Sequence, residues 1–245
     1  MSDARPALVL LHGVGLDHTV WDRVVPLLEE TCDLTCPDLP GHGAGRPVPA
    51  GADLATLAAL TAPDIPAGAH LVGFSLGSLV AQQLAAAEGS TVSSLVCVSS
   101  VCRRTDAERD AVLDRLAVAG VDHPASVEAS IRRWFDGTEV PTDVIEQTRR
   151  VLLANDLEQY LTCYRVFATG DAEVSPLLAE ISAPTLAVTG SDDPGSTPEM
   201  SRRLGEAVPG CRVEVVAGAR HMLPVQAPHV LADLIHEFIG GRIHA

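Results

Sequence analysis

Residues Gly73-Phe74-Ser75-Leu76-Gly77 stand where an apolar extended segment meets a helical one, and they constrain the fold more than any other feature of the chain. Ala69-His70-Leu71-Val72 before them is short and strand-like. After them, apolar side chains at Leu76, Leu79, Val80, Leu84 and Ala87 recur at helical spacing. The chain must therefore turn sharply within a few residues. Glycines on both sides of the serine leave room for the turn and for close approach of the backbone. The serine is then expected in a strained conformation, its hydroxyl exposed near the positive end of the helix. The bland alternative is a Gly-rich turn with an inert serine; the flanking strand and helix argue against it.

Strand-like and helix-like segments alternate along the chain, which predicts a parallel sheet covered on both faces. Strands are expected at Ala7–Leu11, Leu34–Cys36, His70–Gly73, Val92–Ser99, Thr185–Thr189 and Arg212–Val216. Helices are expected at Val20–Glu30, Leu54–Leu60, Leu76–Glu88, Glu199–Ala207 and Val230–Ile239. Between Val101 and Ser182 the pattern is helical only. A capping box of Thr105 and Glu108 precedes Ala107–Ala119, and Pro124–Phe135, Thr142–Asn155 and Asp156–Ala168 follow. The organisation read here is an α/β core over 1–101 and 183–245, with a helical lid over 102–182 inserted between two strands.

The 245 residues suit one α/β domain with an insertion. The formal net charge is −15 and every basic residue other than histidine is an arginine. So acidic a chain is not expected to bind nucleic acid or an anionic membrane through a general field, and the absence of lysine excludes mechanisms built on a lysine. Cys32, Cys36, Cys97, Cys102, Cys163 and Cys211 form no C-x-x-C and are read as reduced. No segment looks like a signal peptide or a membrane span, so the expected location is the cytoplasm.

A serine hydroxyl needs a base, and the base an orienting acid. At strand–turn–helix serines these follow in the order Ser, Asp or Glu, His. Thr185–Thr189 ends at Gly190 and leads into Ser191-Asp192-Asp193-Pro194; Arg212–Val216 leads into Ala217-Gly218-Ala219-Arg220-His221. Side chains beyond the carboxyl ends of parallel strands converge on one crevice. His221 is the histidine so placed, whereas His229, His236 and His244 read as solvated. Only one of Asp192 and Asp193 can face the imidazole; the G-x-x-D spacing from Gly190 favours Asp193. Donors for a developing oxyanion are expected from the backbone N–H of Leu76 and, in the His12-Gly13-Val14-Gly15 loop, of Val14. The histidine spacing lacks a metal motif, so neither a metal nor a cofactor is expected.

Leu11-His12-Gly13-Val14-Gly15, Trp21-Asp22, Asp38-Leu39-Pro40-Gly41-His42-Gly43, the serine pentapeptide and Gly218–His221 followed by Gln226-Ala227-Pro228 together resemble the α/β-hydrolase superfamily over nearly the whole chain. In that likeness His42 is structural. Arg133-Trp134-Phe135, with Ile181-Ser182-Ala183-Pro184-Thr185 and Gly190-Ser191-Asp192-Asp193, is similar to 3-oxoadipate enol-lactonases and related small carboxylic-ester hydrolases. That narrower likeness implies a carboxylate-bearing lactone as substrate, with Arg133 or Arg132 pairing with the carboxylate and Trp134 lining the pocket. A solvated arginine pair and a core Trp134 is the competing reading. The superfamily usually places two strands before the His-Gly strand, and only about six residues precede it here. A sheet of six strands is expected, with Leu34–Cys36 at an edge that a second copy of the chain would cover as a homo-oligomer.

These features point to a serine hydrolase acting on a small ester or lactone, with Ser75, His221 and Asp193 as catalytic residues. Carbon–carbon bond hydrolysis, thioester hydrolysis and biosynthetic acyl release or cyclisation remain open on the same residues. So does a ligand-binding protein that keeps the fold without turnover.

Overall fold

The computed structural model describes residues 5–87 and 89–243. Glu88 and His244, both read above, lie outside the described residues. Six strands, all parallel, form one sheet in the order β2-β1-β3-β4-β5-β6. They are β1 (Ala7–Leu11), β2 (Asp33–Thr35), β3 (His70–Phe74), β4 (Ser94–Val98), β5 (Thr185–Gly190) and β6 (Arg212–Val216). The strand pattern alternates between two cores. Val9, Leu11, Leu71, Leu95, Cys97 and Ala187 pack on one face. Leu8, Leu10, Val72, Val96, Val98, Leu186 and Val188 pack on the other, as side chains of period two must when both faces are covered. The edge strand β2 is three residues long with Asp33 and Thr35 exposed. A short, polar edge offers little template for further pairing.

The continuous helix expected over Val20–Glu30 is instead a 3₁₀ turn, His18–Trp21, followed by one α-helical turn, α1 (Val25–Leu28). Pro26 is the reason: its ring has no N–H to donate and would clash with the carbonyl of residue 22. The other core helices form close to where the apolar spacing places them. They are α2 (Leu54–Thr61), α3 (Leu76–Ala86) and, after the insertion, α8 (Pro198–Ala207) and α10 (Pro228–Ile243); a one-turn helix that the sequence pattern does not show, α9 (Leu223–Gln226), precedes α10.

Between β4 and β5 the chain forms α4 (Asp106–Val121), α5 (His123–Phe135), α6 (Thr142–Ala154) and α7 (Leu157–Val174), then a 3₁₀ segment over Ser175–Glu180. Thr105 and Glu108 make the reciprocal capping box at the start of α4; Asp122 and Asp156 accept from the Ala125 and Gln159 amides in the first turns of α5 and α7. The helices contribute to both cores, Phe167 and Tyr164 to one and Trp134 and Phe135 to the other. Arg104 ties the beginning of this segment to its last α-helix. Its Nη1 lies 2.8 Å from Asp171 Oδ1 and donates to the Phe167 and Ala168 carbonyls. Asp171, fully buried, also accepts from the Arg104 amide and from Arg109. None of the six cysteines is in a disulfide, and no described helix is long and apolar enough to cross a membrane.

Candidate active site

Ser75 follows β3 directly and precedes the first residue of α3, with φ 54° and ψ −111°, a region that L-residues avoid. Crowding enforces the turn. A Cβ on Gly73 would stand 2.4 Å from the Gly77 carbonyl oxygen, and one on Gly77 would stand 2.4 Å from that of Leu11. The Gly77 amide donates to the His12 carbonyl, so the helix start is pinned against the end of β1. Ser75 is 2 % exposed and lines a cavity under the inserted helices.

The same cavity is lined by Asp193 and His221. His221 Nδ1 lies 2.7 Å from Asp193 Oδ2. Asp193 Oδ1 accepts from the amides of Gly195 and Ser196 at 2.8 and 2.9 Å, which fixes the carboxylate plane. The carboxylate can only accept, so Nδ1 carries the ring proton and Nε2 keeps its lone pair. Asp192 points elsewhere: its Oδ1 accepts from the Ser191 hydroxyl, and it lies exposed. The imidazole is clamped between Trp134, stacked at 5.7 Å between centroids, and Phe74 at 5.1 Å.

Val14 lines the cavity from the turn Gly13–Leu16, closed by the Leu16 amide on the Gly13 carbonyl and made possible by Gly15 at φ 74°. In such a turn the amide of the second residue is not used. Leu76, at the first helical position, has an amide with no intrahelical acceptor.

His12 and His42 are buried. His12 Nε2 accepts from the Leu39 amide at 2.8 Å, so its proton is on Nδ1, which donates to the Gly13 carbonyl. Burial lowers its pKa to about 4 and that of His42, edge-on to it at 5.1 Å, to about 3. His18 is held by Asp38 at 2.8 Å, and His236, of intermediate exposure, lies against the Thr31 hydroxyl.

Arg133 and Trp134 both line the cavity, while Arg132 is exposed on the other side of α5. Arg133 donates to Ser130 Oγ at 3.0 Å and lies over the Trp134 ring at 5.7 Å; burial lowers its pKa. The structure adds residues with no motif to mark them. Arg115, Tyr160, Tyr164 and Phe167 complete the wall. Ser99, at φ 45°, donates from its hydroxyl to the His221 carbonyl at 2.9 Å, across 122 positions. Among the described residues no group of three or more His, Cys, Asp or Glu side chains is arranged to hold a metal.

The sequence pattern described as "Alpha/beta hydrolase family" matches residues 8–234. A hydrolase of (E)-2-((N-methylformamido)methylene)succinate from Acinetobacter baylyi is 29 % identical over 225 residues, 90 % of this chain and 85 % of that protein. A pimeloyl-[acyl-carrier protein] methyl ester esterase from Aeromonas salmonicida is 30 % identical over 245 residues, 96 % of each. Among solved structures, the enol-lactonase from Burkholderia xenovorans LB400 superposes with a TM-score of 0.83 at 22 % identity, covering 96 % of this chain and 92 % of that one; at that identity the likeness is one of fold.

Proposed function

The chain belongs to the alpha/beta hydrolase family, and from that membership we propose that it is a serine hydrolase cleaving a small carboxylic ester or lactone through an acyl-enzyme. The observation that carries this reading is the convergence in one cavity of Ser75, strained at the strand–helix turn, and the Asp193–His221 hydrogen bond. The relative named as a methyl ester esterase supports the ester bond class; the relative named as a hydrolase of a methylenesuccinate derivative, whose name carries an amide and no ester, supports hydrolysis alone.

Ser75 Oγ attacks the substrate carbonyl carbon, and its proton passes to His221 Nε2. Asp193 orients the ring and stabilises the imidazolium. The amides of Val14 and Leu76 receive the negative charge that develops on the carbonyl oxygen. The tetrahedral species collapses, the carbon–oxygen bond to the leaving group breaks, and His221 returns the proton to the departing alkoxide. Water, activated by the same imidazole, then attacks the acyl-enzyme and frees Ser75. In a lactone the alkoxide stays attached to the acyl group, and a single ring-opened hydroxy acid results. Arg133 binds a carboxylate on the acyl portion and Trp134 packs against the substrate beside His221. The helical segment 102–182 serves as the lid that shapes this pocket.

The test is turnover of short acyl esters and small lactones by wild type and Ser75→Ala, with fluorophosphonate labelling alongside. Turnover that falls at least about 10⁴-fold in Ser75→Ala, with labelling of Ser75 alone, is the expected result. No labelling, and no difference between the two proteins on any substrate, would overturn it in favour of a ligand-binding protein on this fold.

A further inference from the structure

Two guanidinium groups face the cavity, from different helices: Arg115 on α4 and Arg133 on α5. Arg133 donates only to the Ser130 hydroxyl, and Arg115, half-buried, has no hydrogen bond or ion pair among the described residues. Other arginines in or near this helical segment, Arg104, Arg109, Arg149 and Arg203, reach carboxylates; these two line the cavity without one. The two cations lie close enough to oppose each other's charge. The carboxylate that shares their cavity, Asp193, is committed: one oxygen faces His221 and the other accepts two backbone amides. Two positive charges are therefore held together in a partly desolvated pocket beside the serine, with Asp193 attracting Arg133 only through space and no carboxylate in contact with either guanidinium. Such an arrangement is costly unless an anion completes it.

We propose that Arg115 and Arg133 form a paired cation site selecting substrates whose acyl portion carries two carboxylates in addition to the bond cleaved. This rests on the serine-hydrolase reading above. Arg133 takes one carboxylate, its plane steadied by the Trp134 face and Ser130 Oγ, and Arg115 on the opposite helix takes the second. Guanidinium is suited to this because its planar fork grips a carboxylate through two donors and stays charged when partly buried. A substrate with one carboxylate satisfies one arginine and leaves the other unpaired; a neutral one leaves both.

The experiment compares kcat/KM for methyl butyrate, monomethyl succinate and the terminal monomethyl ester of propane-1,2,3-tricarboxylic acid, which carry none, one and two free carboxylates. Each is run with wild type, Arg115→Gln, Arg115→Lys and Arg132→Gln. In wild type each added carboxylate is expected to raise kcat/KM at least about tenfold, the size of a charge-assisted contact. Arg115→Gln should abolish the second step, with Arg115→Lys restoring part of it. Arg132→Gln, which removes the same charge from the exposed side of α5, should leave the ratios intact. Calorimetric binding of succinate and propane-1,2,3-tricarboxylate to Ser75→Ala and to Ser75→Ala/Arg115→Gln reads the same preference without turnover. The proposal is overturned if the two-carboxylate to one-carboxylate ratio is the same with and without Arg115 in both assays, or if Arg132→Gln lowers it equally. Ser75-dependent hydrolysis of methyl butyrate with no carboxylate preference would sink this inference alone. Tricarboxylate binding that depends on Arg115, with no Ser75 labelling or turnover, would instead sink the hydrolase reading and keep the cation site.

Discussion

At the residue scale, the site is built from side chains whose alternatives are blocked. Ser75 is held in a backbone region that costs of order 1–3 kcal/mol, and the surrounding close packing leaves it no relaxed alternative. A methyl group on Gly77 would meet two backbone oxygens, at 2.4 and 2.5 Å, rather than a flexible side chain. Gly77→Ala is therefore expected to lower the thermal midpoint sharply or prevent folding, as a melting curve would show. Asp192 and Asp193 are adjacent, yet only Asp193 reaches the imidazole. Asp193→Asn should lower kcat on the order of 10⁴-fold by favouring the wrong tautomer of His221. Asp192→Asn should change it by less than about threefold; equal losses in steady-state kinetics would refute the assignment of the acid. The G-x-x-D spacing after Gly190 already pointed to this residue. Nothing local marked Ser99 or Arg115, because their partners or neighbours in the site lie on other elements.

At the scale of elements, the sequence rules worked where their reach is short. The capping box of Thr105 and Glu108 marks a helix start because the acceptor and the free amide lie within three residues; Asp122 and Asp156 cap α5 and α7 in the same way, although the sequence pattern singles out neither and places Asp156 inside the helical run. The Val20–Glu30 helix was misread because its apolar spacing outweighed Pro26, whose effect on the backbone is decisive. The Arg104–Asp171 pair, 67 positions apart, left no trace in periodicity or composition, although it binds the start of the insertion to its final helix. Both side chains are almost fully buried. Asp171→Ala should destabilise the protein by about 3–5 kcal/mol, since it leaves a buried guanidinium uncompensated, whereas Arg104→Met with Asp171→Leu should cost far less. Urea unfolding of the three proteins separates these outcomes; equal losses in single and double variants would show that the pair is not what holds the segment.

At the scale of the whole molecule, two neutral histidines make stability depend on pH. His12 and His42 have folded pKa values of about 4 and about 3, below the unfolded value of about 6.5. The unfolded chain therefore binds more protons in this range. The stability these rings contribute is present above about pH 6.5 and is lost as pH falls toward the folded values, by up to about 1.4 kcal/mol per pH unit for each ring. His18, raised by its hydrogen bond to Asp38, works in the opposite direction, so the diagnostic is a difference. His42→Gln should flatten the decline in unfolding free energy between pH 7 and pH 5, and an unchanged slope would exclude His42 as a source. The alternation of strands and helices, the serine turn and the chain order of Ser75, Asp193 and His221 were determined by the sequence itself, because each depends on spacings of a few residues or on steric rules that act locally. Which arginines face the cavity and which serine holds the His221 loop were decided only by the tertiary structure, because those pairings join positions far apart in the chain, and contact between distant segments leaves no periodic signal along either of them.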